Sequence, residues 1–105
     1  MLEGDSIDHL ITIGESVNRT KEDSYREHIV PCIMVFNQAV TMTMEKRPVT
    51  EVAQMIKSNL AIVLITNKEA DRLDNELDLQ TSMPEGWKFG DDIFARLHAG
   101  NVVLK

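Results

Sequence analysis

Two nearly continuous apolar runs constrain the fold of this chain more than any other feature. They are IVPCIMVF at residues 29–36 and LAIVLI at residues 60–65. Because few of their positions are polar, both runs have to lie near the centre of the molecule. At 105 residues the chain is long enough for one domain and too short for two. A homodimer would relieve the crowding by burying one face between subunits.

We therefore predict a single domain over residues 1–105 that associates as a homodimer through these apolar segments. The predicted dimer interface consists of Ile29, Ile33, Phe36, Val40 and Val63.

Apolar spacing typical of helices recurs along the first two thirds of the sequence. It predicts a helix over residues 6–18 and a long helix over residues 21–45. Pro31 requires either a kink in the long helix or a new helix that begins there, because proline removes a backbone hydrogen bond. Thr50 can cap a third helix, whose apolar face continues into residues 60–65.

The run at 60–65 has two interpretations. Its β-branched residues, bounded by polar pairs, are typical of a buried strand, but they also suit the last turns of a helix surrounded by its neighbours. Periodicity does not decide between them. We favour the helix, which predicts a mostly α fold, a single domain of four or five helices. The alternative is a small α/β fold with 60–65 as a buried strand.

Further on, Thr66 and Glu69 form a capping box at the start of another helix, with Ala70, Leu73 and Leu77 facing inward. A loop with the turn residues Pro and Gly follows this helix, and a short helix comes after the loop.

Charge and cysteine content limit the partners of the protein. The net charge is −6, which favours solubility and repels nucleic acid and anionic lipid. No apolar run approaches the roughly 20 residues of a membrane span, and the N-terminus lacks the pattern of a secretory signal. Cys32, the only cysteine, stands in an apolar run and is predicted to be a buried, inert thiol. We predict a cytoplasmic protein that binds neither membrane nor nucleic acid directly.

The sequence contains no recognisable catalytic, metal or cofactor motif. The adjacent acids of GDD at residues 90–92 would need further converging ligands to hold a cation, so we interpret them as the cap of a helix over 92–98, closed by a left-handed Gly100. His9, His28 and His98 lack the spacing of a metal site. We predict no catalytic or metal-binding residue, no cofactor and no enzymatic activity. A small enzyme that uses His and carboxylate groups is the more distant alternative.

Acidic residues also bear on nucleic-acid recognition. Residues 50–77 could form a helix-turn-helix, but its second helix would present acids to DNA phosphates and be repelled. The acids of that helix, together with those of the first 30 residues, permit an alternative function, in which the protein imitates nucleic acid and inhibits a DNA- or RNA-binding protein. The acids in that helix are Glu69, Asp71, Asp74 and Glu76.

The segment MPEGWKFGDDIF at residues 83–94 holds the only Trp and two of the three Phe. Its rings could form a lid over the core, or they could anchor a partner, since exposed aromatic residues ringed by polar groups often dominate binding. We predict a small acidic protein-interaction module that acts as an adaptor, inhibitor or regulator of a larger protein. The predicted partner-binding residues are Trp87, Lys88, Phe89, Asp91 and Phe94.

Overall fold

A computed structural model describes residues 11–105 of the chain. A π-helical turn, Arg72–Glu76, directly follows the helix Asn67–Asp71. His9 and the first part of the helix predicted over 6–18 lie outside the described residues. The elements in chain order are β1 (Thr12–Glu15), β2 (Tyr25–His28), α1 (Cys32–Met44), α2 (Val49–Asn59), β3 (Ile62–Ile65), α3 (Asn67–Asp71) and α4 (Ala95–Ala99).

A three-stranded sheet of order β1-β3-β2 organises the fold. β3 is its central strand, with β1 parallel on one side and β2 antiparallel on the other. α2 ends at Asn59, and Leu60 is already extended, with φ −102° and ψ 108°. The β-branched residues that follow suit a pleated surface, and a strand paired on both sides is well shielded from water. The helix favoured over 60–65 is therefore wrong, and the mixed architecture fits the α/β alternative better than the mostly α fold.

Strand pairing also replaces helix at the start of the described chain. The helix predicted over 6–18 is wrong in its described part, because β1 occupies that position and pairs Thr12 with Ile62 and Glu15 with Leu64. The helix-like spacing of the apolar residues there is overridden by the free edge of β3, which offers backbone hydrogen bonds to a strand.

The long helix predicted over 21–45 is divided into two elements at Pro31. Before it, β2 pairs Tyr25 with Ile65 and His28 with Ile62. After it, α1 begins at Cys32, with Pro31 at the cap position (φ −53°, ψ 133°). Proline cannot serve the interior of a helix but is well tolerated at its first turn, so the interpretation with a new helix at Pro31 is confirmed.

α1 and α2, which correspond to parts of the predicted second and third helices, form a helical hairpin. α1 packs against α2, and the turn between them is closed by Lys46 in the left-handed conformation, with φ 61°. In this turn Arg47 donates to the Glu51 carboxylate at 2.6 Å. Both of these side chains are about half exposed.

The capping box at the start of α3 is confirmed. The Thr66 hydroxyl accepts from the Glu69 N–H at 3.0 Å, and the Glu69 carboxylate accepts from the Thr66 N–H at 2.8 Å. The same carboxylate oxygen accepts from the Ser16 hydroxyl at 2.8 Å, which fastens the end of β1 to α3. Glu69 is consequently buried. Leu77, predicted to face inward, is 38 % exposed.

The last helix is shorter than predicted. α4 begins at Ala95, and Gly100 has a φ of −90° and is not left-handed. A Cβ at Gly100 would approach Leu73 Cδ2 to 2.6 Å, so a larger residue there would force the Leu73 side chain to shift. Asn101, with φ 57°, adopts the left-handed conformation instead.

The core joins residues of the sheet, the helices and the C-terminal segment. Its buried apolar members are Ile29, Val30, Val35, Ala61, Val63, Ile65, Ala70, Leu73, Met83, Leu97 and Val102.

Candidate functional site

A buried ion pair lies between α4 and β2. Arg96 Nη2 donates to Glu27 Oε2 at 2.7 Å, and the two side chains are only 1 % and 9 % exposed. The guanidinium also donates to the carbonyl oxygens of His28 and, at 3.0 Å, Leu79. Arg96 thereby connects a helix, a strand and a loop that are far apart in sequence. Such a pair is a strong positional constraint, because removal of one partner leaves a buried charge without compensation.

The ion pair forms one wall of a polar cleft of about 220 Å³. Tyr25 and His28 reach the cleft from β2, and Cys32 reaches it from the first turn of α1. The π-helical turn contributes Asp74, and π-helical turns are frequent at functional sites. We refer to this feature, lined by Tyr25, Glu27, His28, Cys32, Asp74 and Arg96 among others, as the polar cleft.

Two polar atoms of the ion pair are left without a protein partner. Glu27 Oε1, an acceptor, and Arg96 Nε, a donor, are both buried and make no hydrogen bond to any described residue. Unpartnered buried polar atoms cost free energy, and they are typically satisfied by water or a ligand. The buried ion pair is therefore held by fewer hydrogen bonds than its polar atoms could make.

Burial dominates the protonation of the groups around the cleft. It raises the pKa of Glu27, against the opposing effect of Arg96. Burial also lowers the pKa of His28, with further lowering by Arg96 and Arg26. It raises the pKa of the Cys32 thiol as well. At neutral pH, His28 and Cys32 are therefore both uncharged.

Cys32 is exposed, so the prediction of a buried thiol is wrong. The apolar run around it forms a helix that buries only one side, and Cys32 stands at its first turn facing out. Its Sγ lies 3.4 Å from His28 Nδ1, close enough for a hydrogen bond that involves sulfur. The sequence had shown of His28 only that it lacks the spacing of a metal site. A thiol beside an uncharged imidazole is an arrangement in which the imidazole can accept the thiol proton.

The aromatic loop is a separate region that packs on the subunit's own core. Trp87 and Phe89 form an edge-to-face pair with ring centroids 5.0 Å apart, and both rings are half-buried against the core, as is Phe94. Trp87 Nε1 donates to the carbonyl oxygen of Asp92 at 2.8 Å. With these contacts the two rings cover part of the core, as a lid does. Lys88, which lies between them in the sequence, is exposed. The predicted partner-binding role of the loop stays a prediction.

The two acids of the GDD tripeptide are engaged in local hydrogen bonds. Asp91 Oδ2 accepts from the Lys88 N–H at 2.8 Å, and Asp92 Oδ1 accepts from the Phe94 N–H at 3.0 Å. Asp92 Oδ2 also lies 3.2 Å from His98 Nε2. Both carboxylates hold the turn before α4, but the predicted cap is wrong, because Phe94 stands at the cap position and no side chain makes a cap hydrogen bond. Across residues 11–105, no group of three or more His, Cys, Asp and Glu side chains is placed to hold a metal ion.

The predicted dimer interface is divided between the core and the surface. Ile29 and Val63 are fully buried inside the subunit, so they are unavailable to a partner and we remove them from the interface. Their neighbours on the outside of α1 are exposed: Ile33 at 48 % and Phe36 at 64 %. With Val40 and Met44, which are also exposed, they form a stripe that we call the α1 face, defined as Ile33, Phe36, Val40 and Met44.

The row of acids considered for a nucleic-acid mimic is incomplete. Glu69 is 5 % exposed and serves the capping box, so it presents no charge at the surface. Asp71 and Glu76 are exposed, whereas Asp74 is half-buried at the polar cleft. The surface acids therefore number fewer than the sequence indicates.

Comparison with known proteins returned no match, whether by protein-family model, by curated protein or by solved structure. Within the described residues, no helix combines the length and the apolar character needed to cross a membrane.

Sequence reasoning missed the ion pair and the cleft. Glu27 and Arg96 are 69 residues apart, and neither stands in a motif. One local signal was present: Arg96 lies directly before Leu97, a core residue of the same short helix.

Proposed function

We propose that this chain is a small acidic protein-interaction module of the cytoplasm, a regulator or adaptor that first binds a second copy of itself. The observation that carries the proposal is the α1 face. It exposes four large apolar side chains along one side of a helix, and neighbouring residues of the described chain do not cover them.

Spacing makes the α1 face a continuous surface. Ile33, Phe36, Val40 and Met44 follow one another at intervals of three and four residues, which places them on one side of a helix. Phe36 and Met44 are 64 % and 77 % exposed. Isolated exposed apolar residues are ordinary, but a contiguous stripe of them is typical of a binding surface.

Charge favours a second copy as the partner. The chain carries a net charge of −6, so two copies repel each other at most approaches. The 13 residues of α1 include no charged side chain. Two copies can therefore bring this helix together across a two-fold axis without opposing like charges, in the self-complementary manner of most homodimers. The exposed free thiol of Cys32 fits the reducing cytoplasm that we assign.

Sedimentation velocity over a range of concentrations tests the proposal. The native chain is expected to dimerise with a dissociation constant below about 100 μM, and Phe36→Glu is expected to be monomeric throughout, because it places a charge at the centre of the interface. Val103→Glu adds the same charge at another exposed apolar residue and is expected to leave the dimer intact. A native chain that sediments as a monomer at about 100 μM contradicts self-association.

A further inference from the structure

Cys32 stands where two differently lined depressions meet. On one side is the polar cleft. On the other is an apolar groove of about 230 Å³ between α1 and α2, lined by Cys32, Val35, Phe36, Ala39, Ile56 and Leu60. Apart from the thiol, every side chain in this groove is a hydrocarbon. A molecule that reached Cys32 could therefore place an apolar chain on one side and a polar group on the other.

The thiol has a base beside it. His28 Nδ1 lies 3.4 Å from Cys32 Sγ, and the backbone of His28 is held by the guanidinium of Arg96, which donates to its carbonyl oxygen. With the imidazole and the thiol both uncharged at neutral pH, Nδ1 can accept the proton as sulfur attacks. The charged and titratable groups that line the cleft around the imidazole are Tyr25, Glu27, Asp74 and Arg96.

The thiol and the groove indicate which class of molecule this place would take. A thiol beside a base attacks an activated acyl group, and the groove suits an apolar chain. Together they fit an acyl thioester whose chain lies in the apolar groove and whose leaving thiol lies toward the polar cleft.

We propose that Cys32 is an S-acylation site, at which His28 acts as general base and the α1–α2 groove holds the acyl chain of a thioester. Cys32 Sγ attacks the carbonyl carbon and forms the new S–C bond, while the thiol proton passes to His28 Nδ1. The C–S bond to the leaving thiol then breaks, and the leaving thiolate takes the proton from His28. One thioester and one thiol are consumed and one of each is formed, so no oxidant or reductant is needed.

Intact-mass measurement with two synthetic thioesters tests the proposal. The octanoyl and acetyl thioesters of N-acetylcysteamine share an amide-bearing leaving thiol and differ in the length of the acyl chain. The native chain is expected to gain one octanoyl group, at a rate at least about tenfold above that of the urea-unfolded chain, and Cys32→Ser is expected to gain none. A native rate equal to that of the unfolded chain overturns the proposal.

Two variants separate the base from the groove. His28→Asn is expected to slow both thioesters by roughly 100-fold, the lower range for a general base. Ala39→Phe fills the groove and is expected to slow the octanoyl reagent about tenfold while the acetyl rate is unchanged, since a lost apolar contact is worth about one order of magnitude. Ala53→Phe makes the same change at an exposed position of α2 outside the groove and is expected to alter neither rate. Equal effects of Ala39→Phe on both reagents, or no effect of His28→Asn, overturn the assignment.

If His28→Asn does not fold, the pH dependence of the acylation rate of the native chain tests whether His28 is the base. With His28 as base, the acylation rate rises through the lowered pKa of His28 and then stays level at neutral pH. Without a base, the rate rises about tenfold per pH unit up to the raised pKa of the thiol, because only the thiolate reacts. A profile of the second kind overturns the proposal. Because Phe36 belongs to both the α1 face and the groove, the acylation rates are measured at concentrations where the native chain is monomeric.

Discussion

The central strand of the sheet and the outer helix of the α1–α2 hairpin are both built from apolar residues, and they bury them to different extents. In β3, Ile62, Val63 and Ile65 are at most 2 % exposed. In α1, Val35 is buried while Ile33 and Phe36 stand largely in solvent. Apolar composition alone therefore does not determine burial.

Position in the fold explains the difference. β3 is paired on both edges, by β1 and β2, and every apolar side chain of a central strand has a neighbour on its face. α1 has α2 on one side, and a helix with one neighbour buries one stripe. A comparison of matched substitutions in the sheet region and in the hairpin measures how far this difference extends to charge, volume and hydrogen bonding.

Removal of a charged side chain should show the largest difference in stability loss between the sheet region and the hairpin. Arg96→Met leaves Glu27 buried without its partner and is expected to lower the free energy of unfolding by about 3–5 kcal/mol. Arg47→Met removes a half-exposed Arg–Glu pair of the hairpin and is expected to cost less than about 1 kcal/mol. Urea denaturation of both variants, at concentrations where the chain is monomeric, gives the two values.

The pH dependence of Arg96→Met has a defined sign. The pKa of Glu27 is already raised in the folded state, and loss of Arg96 removes an effect that lowers it. A carboxyl group with a raised folded-state pKa is favourable below its unfolded pKa and becomes unfavourable as pH rises through the folded value. The variant should therefore be more destabilised at pH 8 than at pH 5, and Glu27→Leu in the same chain should recover part of the loss. Equal losses for Arg96→Met and Arg47→Met would contradict the role assigned to burial.

Removal of apolar side-chain volume should show the next largest difference in stability loss between the two regions. Ile65→Ala deletes a fully buried side chain of β3 and is expected to cost about 2–5 kcal/mol, through lost apolar burial and the cavity left behind. Ile33→Ala deletes the same atoms from the α1 face, where the side chain is 48 % exposed, and is expected to cost less than about 1 kcal/mol in the monomer. Thermal and urea unfolding measure both. A large loss for Ile33→Ala in the monomer would mean that the α1 face contributes to the subunit's own core.

Local signals in the sequence predicted the elements whose determinants are local. The capping box of Thr66 and Glu69 satisfies backbone groups within three residues, so it operates whatever the tertiary context. Pro31 likewise restricts its own helix, and the boundary of α1 follows from that residue alone. The turn residues before Trp87 correctly indicated a loop for the same reason.

The sheet and the polar cleft depend on partners that the local sequence does not reveal. β1 has a helix-like spacing of apolar residues and became a strand because β3 offers it an edge. The cleft joins Glu27 to Arg96 across 69 residues, and charged residues are rarely expected inside a small domain. Cys32 was placed inside the molecule because its run is apolar, whereas the side of α1 on which it stands could be known only once α2 was in place.

Removal of a side-chain hydrogen bond should give the smallest difference in stability loss between the two regions. The same substitution, Thr to Ala, can be made in both. Thr66→Ala removes the side-chain acceptor that caps α3, at a residue 6 % exposed, and is expected to cost about 1 kcal/mol. Thr43→Ala removes a hydroxyl that donates to the Ala39 carbonyl oxygen at 2.8 Å on the exposed part of α1. That carbonyl can turn to water, and alanine is the better helix former, so the change should stay within about 0.5 kcal/mol of zero and can be stabilising.

The two threonine variants therefore test whether the loss of stability depends on the burial of the hydrogen bond or on the hydrogen bond alone. Both hydroxyls make one hydrogen bond to the backbone, at 3.0 Å for Thr66 and 2.8 Å for Thr43. If the bond alone determined stability, the shorter bond of Thr43 would give at least as large a loss in urea denaturation. If burial determines it, only Thr66→Ala leaves an N–H that water cannot reach, because Glu69 is buried beside Ser16. A loss seen only for Thr66→Ala would show that burial separates the sheet region from the hairpin even for an interaction worth about 1 kcal/mol.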